Sequence, residues 1–294
     1  MAFPFTEIII IYNPNSTGSS RANAMKLQKR LKSELPKDVR TITLATKSAG
    51  HAEEIAKEYA KRDTETLLIS SSGDGGYNEL INGVLKYAAK HVVTAVIPSG
   101  NANDHYHATA TDDLVRRIVV AKKRKLDVLE VIAEQGNKPW KRYAHSYVGV
   151  GMTAYIGKKL TQSNLNALSE KWMVLRYMIR FGHVSVKLDG AKSWRRYTNV
   201  ICANIDRMSK VIKLSENAKV DDGQCELYTN TGGSFWQTLR YLLLGSTIGL
   251  TPIKRTKAVR LELKRPSMVQ LDGEVTTIEG EVMIRTRKKA LQTV

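Results

Sequence analysis

The chain has 294 residues, 42% of them apolar, which excludes a disordered protein and leaves room for one large domain or two modest ones. Lys and Arg number 46 against 28 Asp and Glu, a formal net charge of +18. That excess sets no fold, but it turns the surface toward polyanions: phosphate-bearing membranes, nucleic acids or nucleotides.

The N-terminal "MAFPFTEIIIIYNP" has neither a basic leader nor a cleavage site and reads as a first strand rather than a signal peptide. From there to residue 120 the pattern alternates. "EIIIIYNP", "RTITLA", "TLLISS" and "VVTAVIP" are apolar β runs, and residues 19–34, "HAEEIAKEYAKR" and residues 77–90 have helical spacing. Continuous buried strands separated by amphipathic helices predict a doubly wound parallel sheet. In such sheets ligands sit beyond the carboxyl ends of the strands, which selects three loops: "NPNSTGSS" (13–20), "SSGDGGYN" (71–78) and "PSGNANDHYH" (98–107).

After the basic run "KKRK" (122–125) the texture changes. "KLDVLEVIA", "RYAHSYVGVG", "HVSVKLD", "YTNVICAN", "QCELYTN", "AVRLELK" and "EVMIRTR" read as strands with no regular helices between them. The expected organisation is an α/β domain over 1–125, which the C-terminal 285–294 would complete if the last strand returns to it, and a β-rich domain over 126–284. Two helical candidates interrupt the second half, 165–181 and 234–245. Cys202 and Cys225 have no metal-ligand spacing and read as core thiols in a reducing compartment. No apolar run approaches the roughly 20 residues that cross a bilayer. The expected location is cytoplasmic, with peripheral contact to a membrane.

Glycines at a strand-to-helix turn let the backbone approach phosphate oxygens, and a helix N-terminus offers unpaired N–H groups. Gly73, Gly75 and Gly76 supply that freedom in the second loop, Ser16, Thr17 and Gly18 enter the first helix, and Gly100 opens the third loop. An ordinary tight turn accounts for any one of them; together they point to a phosphate site. Neither GxxxxGK[ST] nor GxGxxG is present, so the site is not a P-loop or a dinucleotide fingerprint.

These residues match a family. "SGDGGYNELINGV" resembles the GGDGTxNEVxNG signature of the diacylglycerol kinase catalytic domain. "IIYNPNSTG" is similar to that family's NPxSG segment, "IPSGNANDHYHA" to its PxGTxNDFA loop, "ENAKVDDGQCEL" to its xxAxxDDGxLDV segment, and "VQLDGE" to its closing QxDGE. The resemblance implies a nucleotide-binding α/β domain followed by a β-sandwich-like domain, with the active site in the cleft between them. It implies transfer of the γ-phosphoryl group of ATP, with Mg²⁺, to a lipid hydroxyl. Carried over position by position, Asn13, Pro14, Asn15, Ser16 and Thr17, then Thr46, then Ser72, Gly73, Asp74, Gly75, Gly76, Tyr77 and Asn78, then Asn101 fall on ATP-contacting positions. Glu274 falls on the proton acceptor. Asp222, with carbonyls near Lys219 and Gln224, falls on a structural Mg²⁺ site. Gly76 and Asn101 stand where the family has threonine, and "DRMSKVIKLSENA" where it has a glycine-rich segment.

Several residues carry two readings. Asp272 and Glu274, two apart on an expected extended segment, would point the same way, one holding the hydroxyl or a metal-bound water and the other accepting its proton; alternatively they are a charged turn. Asp74, between glycines, would bind water on Mg²⁺ or orient the lipid hydroxyl, or else hold its own loop in an Asx turn. Asn103 and Asp104 would support the site from behind, or Asp104 would N-cap a short helix. Asp221 and Asp222 suit a hard cation, or form a turn. His105 and His107 have no third ligand at zinc spacing.

The helix at 165–181, with Trp172, Tyr177 and Phe181 interleaved with Lys171, Arg176 and Arg180, reads equally as an interfacial helix or as one packed on the β-rich domain with a solvated basic side. Were the substrate a membrane lipid, it, "KSWRR" (192–196) and "SFWQTLRYLLLG" (234–245) would be the docking segments. The expected partner is thus a membrane lipid, diacylglycerol or similar, with a homodimer left open. The alternatives are a kinase of a soluble acceptor, as in the NAD kinase relatives, or a catalytically silent lipid-binding or nucleic-acid-binding protein. The basic residues are dispersed and aromatics make up 7% of the chain, so no nucleic acid is expected.

Overall fold

The computed structural model describes residues 3–16, 18–110, 112–136, 138–161, 182–209, 212–215, 217–231 and 235–294. The expected helix at 165–181 lies outside them. Two compact units are present, Met1–Asp127 with Lys288–Val294, and Val128–Arg287.

The first unit is a parallel sheet. β1 (Glu7–Tyr12) pairs with β2 (Arg40–Ala45) on one side and β3 (Thr66–Ser72) on the other, and β3 pairs with β4 (Val92–Pro98). Beyond β4, Thr293 at the end of the last strand pairs in parallel with Thr94, and Arg117 Nη1 donates to the Val294 carbonyl at 2.7 Å. Ile8 to Ile11 are all within 1% of complete burial. Both faces of β1 are covered, so its sequence is continuously apolar instead of alternating. One face carries α1 (Ser20–Glu34) and α5 (Leu114–Val119), which enclose Phe5, Ile8, Ile10, Leu67, Ile69 and Val93 with Ala24, Leu27 and Leu31. α2 (His51–Ala60) and α3 (Asp74–Leu85) pack against each other, and Tyr77 of α3 reaches Thr94 Oγ1 at 2.9 Å. Thr94 alternates with the core residues Val93 and Ala95, so its side chain, and α3 with it, lies on the opposite face. The helix expected at 77–90 starts at Asp74 instead.

From β1 the chain steps to β2 on one side and then to β3 on the other. The topological switch therefore falls between β1 and β3, where the loops 13–19 and 73 emerge.

The second unit is built from antiparallel strands: β5 (Arg124–Gln135), β6 (Lys138–Ala144), β7 (Tyr147–Gly151), β8 (Val184–Leu188), β9 (Arg195–Tyr197), β10 (Asn199–Ala203), the short β11 (Arg207–Met208) and β12 (Ile212–Lys213), β13 (Cys225–Asn230), β14 (Lys254–Thr256), β15 (Ala258–Leu271) and β16 (Glu274–Thr293). They run β14-β13-β10-β7-β15-β16, with β8 and β9 continuing from β15, and β5 and β6 from β16. Their buried face joins Val148, Val150, Val200, Leu227, Val259, Leu261 and Ile284 in one core. Cys202 and Cys225 are free, buried thiols on neighbouring strands. α7 (Phe235–Ser246) matches the expected helix at 234–245. α6 (Met152–Thr161) was not expected: it follows β7 without a loop, and its β-branched residues and Gly157 blur the helical period. No helix of the described residues is long and apolar enough to cross a membrane.

The α2–α3 contact depends on Gly83. A Cβ there would stand 2.5 Å from the Glu53 carbonyl oxygen and 2.7 Å from Ala56 Cβ. In an exposed helix, Gly→Ala gains up to about 1 kcal/mol. Here the overlap with backbone reverses the sign, and Gly83→Ala is expected to lose roughly 1–3 kcal/mol in urea unfolding. A gain would show that these helices do not approach so closely.

Candidate active site

At the switch point of the first unit the three loops are bonded to one another through Ser99. Its carbonyl accepts the Gly18 N–H at 3.1 Å and the Ser16 hydroxyl. Its own N–H reaches the Ser72 carbonyl at 3.1 Å. Its Oγ lies 3.1 Å from Ser71 Oγ and accepts from Asn23 Nδ2 at 2.9 Å. Asn23, on α1, also donates to the Gly18 carbonyl at 3.0 Å. Asn13 organises the first loop: its Oδ1 accepts the Asn15 N–H at 2.9 Å, and its carbonyl accepts the Ser16 N–H at 3.1 Å and the Ser20 hydroxyl.

Glycine is required where the backbones touch. A Cβ on Gly100 would stand 2.3 Å from Gly73 Cα, and one on Gly18 would stand 2.6 Å from the Ser99 carbonyl. These approaches bring the tips of β1, β3 and β4 into one surface.

α3 begins at that surface. Gly73 holds the N-cap position in an extended conformation, and the N–H groups of Gly75 and Gly76 in the first turn have no intrahelical acceptors. They lie at the positive end of a 12-residue helix, an arrangement that favours phosphate oxygens. Gly76 stands where the family has threonine, and the structure supplies a reason. A Cβ at 76 would lie 2.5 Å from Ser72 Oγ, and Ser72 in turn stands where the family has glycine. Its hydroxyl bonds to Ser70 Oγ at 2.6 Å and to the Gly73 carbonyl at 3.0 Å. The side chain absent at 76 is thus exchanged for one at 72.

The carboxylates in these loops anchor backbone. Asp74 accepts the Asp104 N–H through Oδ2 and the His105 N–H through Oδ1, both at 3.1 Å. It ties the second loop to α4 (Asp104–Thr109). The N-cap of α4 is Asn103, at φ 55°, not Asp104, which is its buried first residue. Asn103 and Gly100 exchange two hydrogen bonds of 2.9 Å, which fixes the third loop. Glu79 accepts the Gly50 and Ala52 N–H groups at 2.8 and 3.2 Å and so caps α2. Asn82 Nδ2 donates to the carbonyl and the side chain of Asn78, and both residues are buried. Tyr77 is buried, and burial pushes its phenol up to about 12. Pro14, Asn15 and Asn101 are exposed at the rim, and Thr46 sits beside β1, donating its N–H to the Tyr12 carbonyl at 2.9 Å. Thr17 lies outside the described residues. Ser99, Asn23 and Glu79 escaped the sequence reading. The signal for Ser99 was its place between a strand end and a glycine; Glu79 lay in full view inside the motif.

In the second unit one expectation is corrected. Asp272 and Glu274 do not lie together on an extended segment. Leu271 pairs with Glu274 across a two-residue hairpin, with φ 49° at Asp272 and 101° at Gly273, the pattern of a primed turn that Asp-Gly favours. Asp272 is wholly buried and accepts three successive N–H groups, from His145, Ser146 and Tyr147, at 2.6 to 3.0 Å. Glu274 is exposed at the start of β16.

At Asp222, where the resemblance implies a structural cation, both carboxylate oxygens have partners within the protein. One oxygen accepts the Gln224 N–H at 2.9 Å, and the other is bonded by the Arg255 guanidinium. Lys219, whose carbonyl the resemblance adds to that site, is exposed. Arg255 Nε also lies 3.3 Å from Glu226, a carboxyl whose burial pushes it up to about 7. Arg255 thus supplies a positive charge to the carboxylate that the resemblance gives to a cation.

Residues 7–131 match the family model of the diacylglycerol kinase catalytic domain. Over 282 residues, 90% of this chain and 88% of the relative, the sequence is 26% identical to diacylglycerol kinase of Bacillus subtilis (strain 168). The fold is shared with the crystal structure of a diacylglycerol kinase from Bacillus anthracis str. Sterne, at TM-score 0.69 and 18% identity over 99% of this chain and 97% of that one. It also resembles yeast NADH kinase complexed with NADH, at TM-score 0.53 and 11% identity over 99% and 82%. The matched family and the named relative support a kinase, and hence a transferase.

The exchange between positions 72 and 76 is testable as a double-mutant cycle. Gly76→Thr alone is expected to destabilise the chain by about 1–3 kcal/mol through overpacking against Ser72. Adding Ser72→Gly should recover most of that loss in thermal unfolding. Additive effects would show that the two positions do not share one space.

Proposed function

We propose that the chain is an ATP-dependent kinase that transfers the γ-phosphoryl group to the hydroxyl of a membrane lipid, with diacylglycerol as the first acceptor to test. The observation that carries this reading is the meeting of three Gly- and Ser-rich loops at the switch between β1 and β3, where α3 opens with glycine N–H groups. In this reading the triphosphate rests on those amides, with Asn13, Ser16, Thr46 and Asn101 around it, and Mg²⁺ arrives with ATP as part of the substrate. Phosphoryl transfer asks the protein mainly for positioning and charge neutralisation.

Glu274 is the proposed proton acceptor. It takes the hydroxyl proton as the oxygen bonds to the γ-phosphorus, and ADP leaves with the electrons of the broken P–O bond. Asp272 serves as a positioning residue: by holding the N–H groups of 145–147 it fixes the turn that ends in Glu274. Asp74 positions the loops in the same way.

The lipid acceptor and a peripheral membrane contact draw support from exposed apolar side chains in and after α7. Trp236 is 73% exposed and Ile248 78%, with Leu243 and Ile253 also exposed and the cation Arg240 within α7. Apolar side chains beside a cation suit an anionic lipid surface.

The test supplies radiolabelled ATP with diacylglycerol in mixed micelles, a total lipid extract, or NAD. Label in a phosphorylated lipid is expected. Label in NAD would replace the acceptor, and no label in any arm would reject the kinase reading. Glu274→Gln should retain nucleotide binding and lose turnover by at least about 100-fold; full turnover in that variant would reject its assignment.

A further inference from the structure

Several cations gather in the second unit where β8, β9 and β15 meet. β9, β8 and β15 run side by side. Ser185 pairs with Arg196 across β8 and β9, and Val186 pairs with Leu263 across β8 and β15. Continuing that register by one residue sets Lys264 opposite Ser185. Val186 and Leu263 are buried in the core, so Arg196, Ser185 and Lys264 form one row on the other face. On the next rung of that face Lys187 is neutralised by Glu262 at 3.2 Å. Among the described residues no carboxylate pairs with Arg196 or Lys264 in their own row.

The strand itself is altered here. The register of β15 shifts between Leu263 and Ser267, a bulge that contains Pro266. In a regular strand, successive side chains face opposite sides. At this bulge Lys264 and Arg265 both line a single cavity of about 580 Å³, together with Arg196, His183, Ser185 and Ser267. No Asp or Glu lines that cavity among the described residues.

Three cationic side chains around one cavity, Arg196, Lys264 and Arg265, repel one another, and an anion between them relieves that repulsion. Guanidinium groups match phosphate oxygens in pairs, and the Ser185 hydroxyl adds a neutral donor. The volume falls within the range of small-ligand sites and exceeds what a lone ion needs.

We propose that this cavity binds a phosphate mono- or diester, carried either by the headgroup of an anionic phospholipid or by a soluble phosphate ester. The site does not rest on the kinase assignment, and its test reads binding alone. The full chain is titrated calorimetrically with glycerol 3-phosphate and, separately, sedimented with phosphatidylcholine vesicles with and without phosphatidylglycerol. Arg196→Gln/Arg265→Gln is compared with a charge-matched control on α1, Lys26→Gln/Lys29→Gln, and Lys264→Gln serves should the cavity pair fail to fold. The cavity variant is expected to lose at least about ten-fold in affinity, the loss one charge-assisted hydrogen bond commonly carries, with the control pair little changed. Loss confined to the vesicle arm assigns a lipid headgroup; loss confined to glycerol 3-phosphate assigns a soluble ester; loss in both assigns the phosphate group whatever carries it. Equal effects of the cavity and control pairs, or no effect of either, overturn the proposal.

Discussion

The first unit turns on a contact in which no side chain takes part. Gly73 and Gly100 approach so closely that a single methyl group on Gly100 would overlap the other glycine's α-carbon. That approach brings the tip of β4 against the tip of β3, and Ser99 then bonds both to the loop that leaves β1. Strand-end loops elsewhere in a doubly wound sheet are free to diverge. Here they form one polar surface beside the open end of α3, and every functional reading of the unit starts from that surface.

The acidic residues of the motifs divide by what they hold. Asp74, Glu79 and Asp272 each accept two or three backbone N–H groups from another segment. Carboxylates used this way are stabilising because each bond is charge-assisted and several of the donors are partly or wholly buried. They give the loops fixed positions. Glu274, exposed one residue past the hairpin that Asp272 anchors, is the acidic group of the closing motif that faces solvent. Chemistry and scaffolding are carried by adjacent members of one motif, and residue type alone does not separate them.

Much of the fold was legible because its signals are local. Four consecutive isoleucines in β1 required burial on both faces, and the alternation of such runs with amphipathic helices required a parallel sheet. The loops were legible for the same reason, since their glycines and serines follow strand ends. What was hidden depended on tertiary contact. α3 starts three residues earlier than its apolar period because Gly75 and Gly76 are poor helix formers, and its start is set by the contacts of Gly73 and Asp74 with the third loop. α6 was masked by β-branched residues directly after a strand. The turn at Asp272-Gly273 was the second of the two readings given to Asp272 and Glu274, and the structure selects it over the extended one. The guanidinium at Asp222 comes from Arg255, 33 positions away, which no spacing rule connects to the "DDG" segment.

The central claim is that the converged strand tips hold the phosphates of a nucleotide. Amide hydrogen exchange, followed with and without ADP and magnesium, tests it most directly. The account predicts slowed exchange in residues 13–20, 72–78 and 99–103. Slowing elsewhere, with those three segments unchanged, would contradict it.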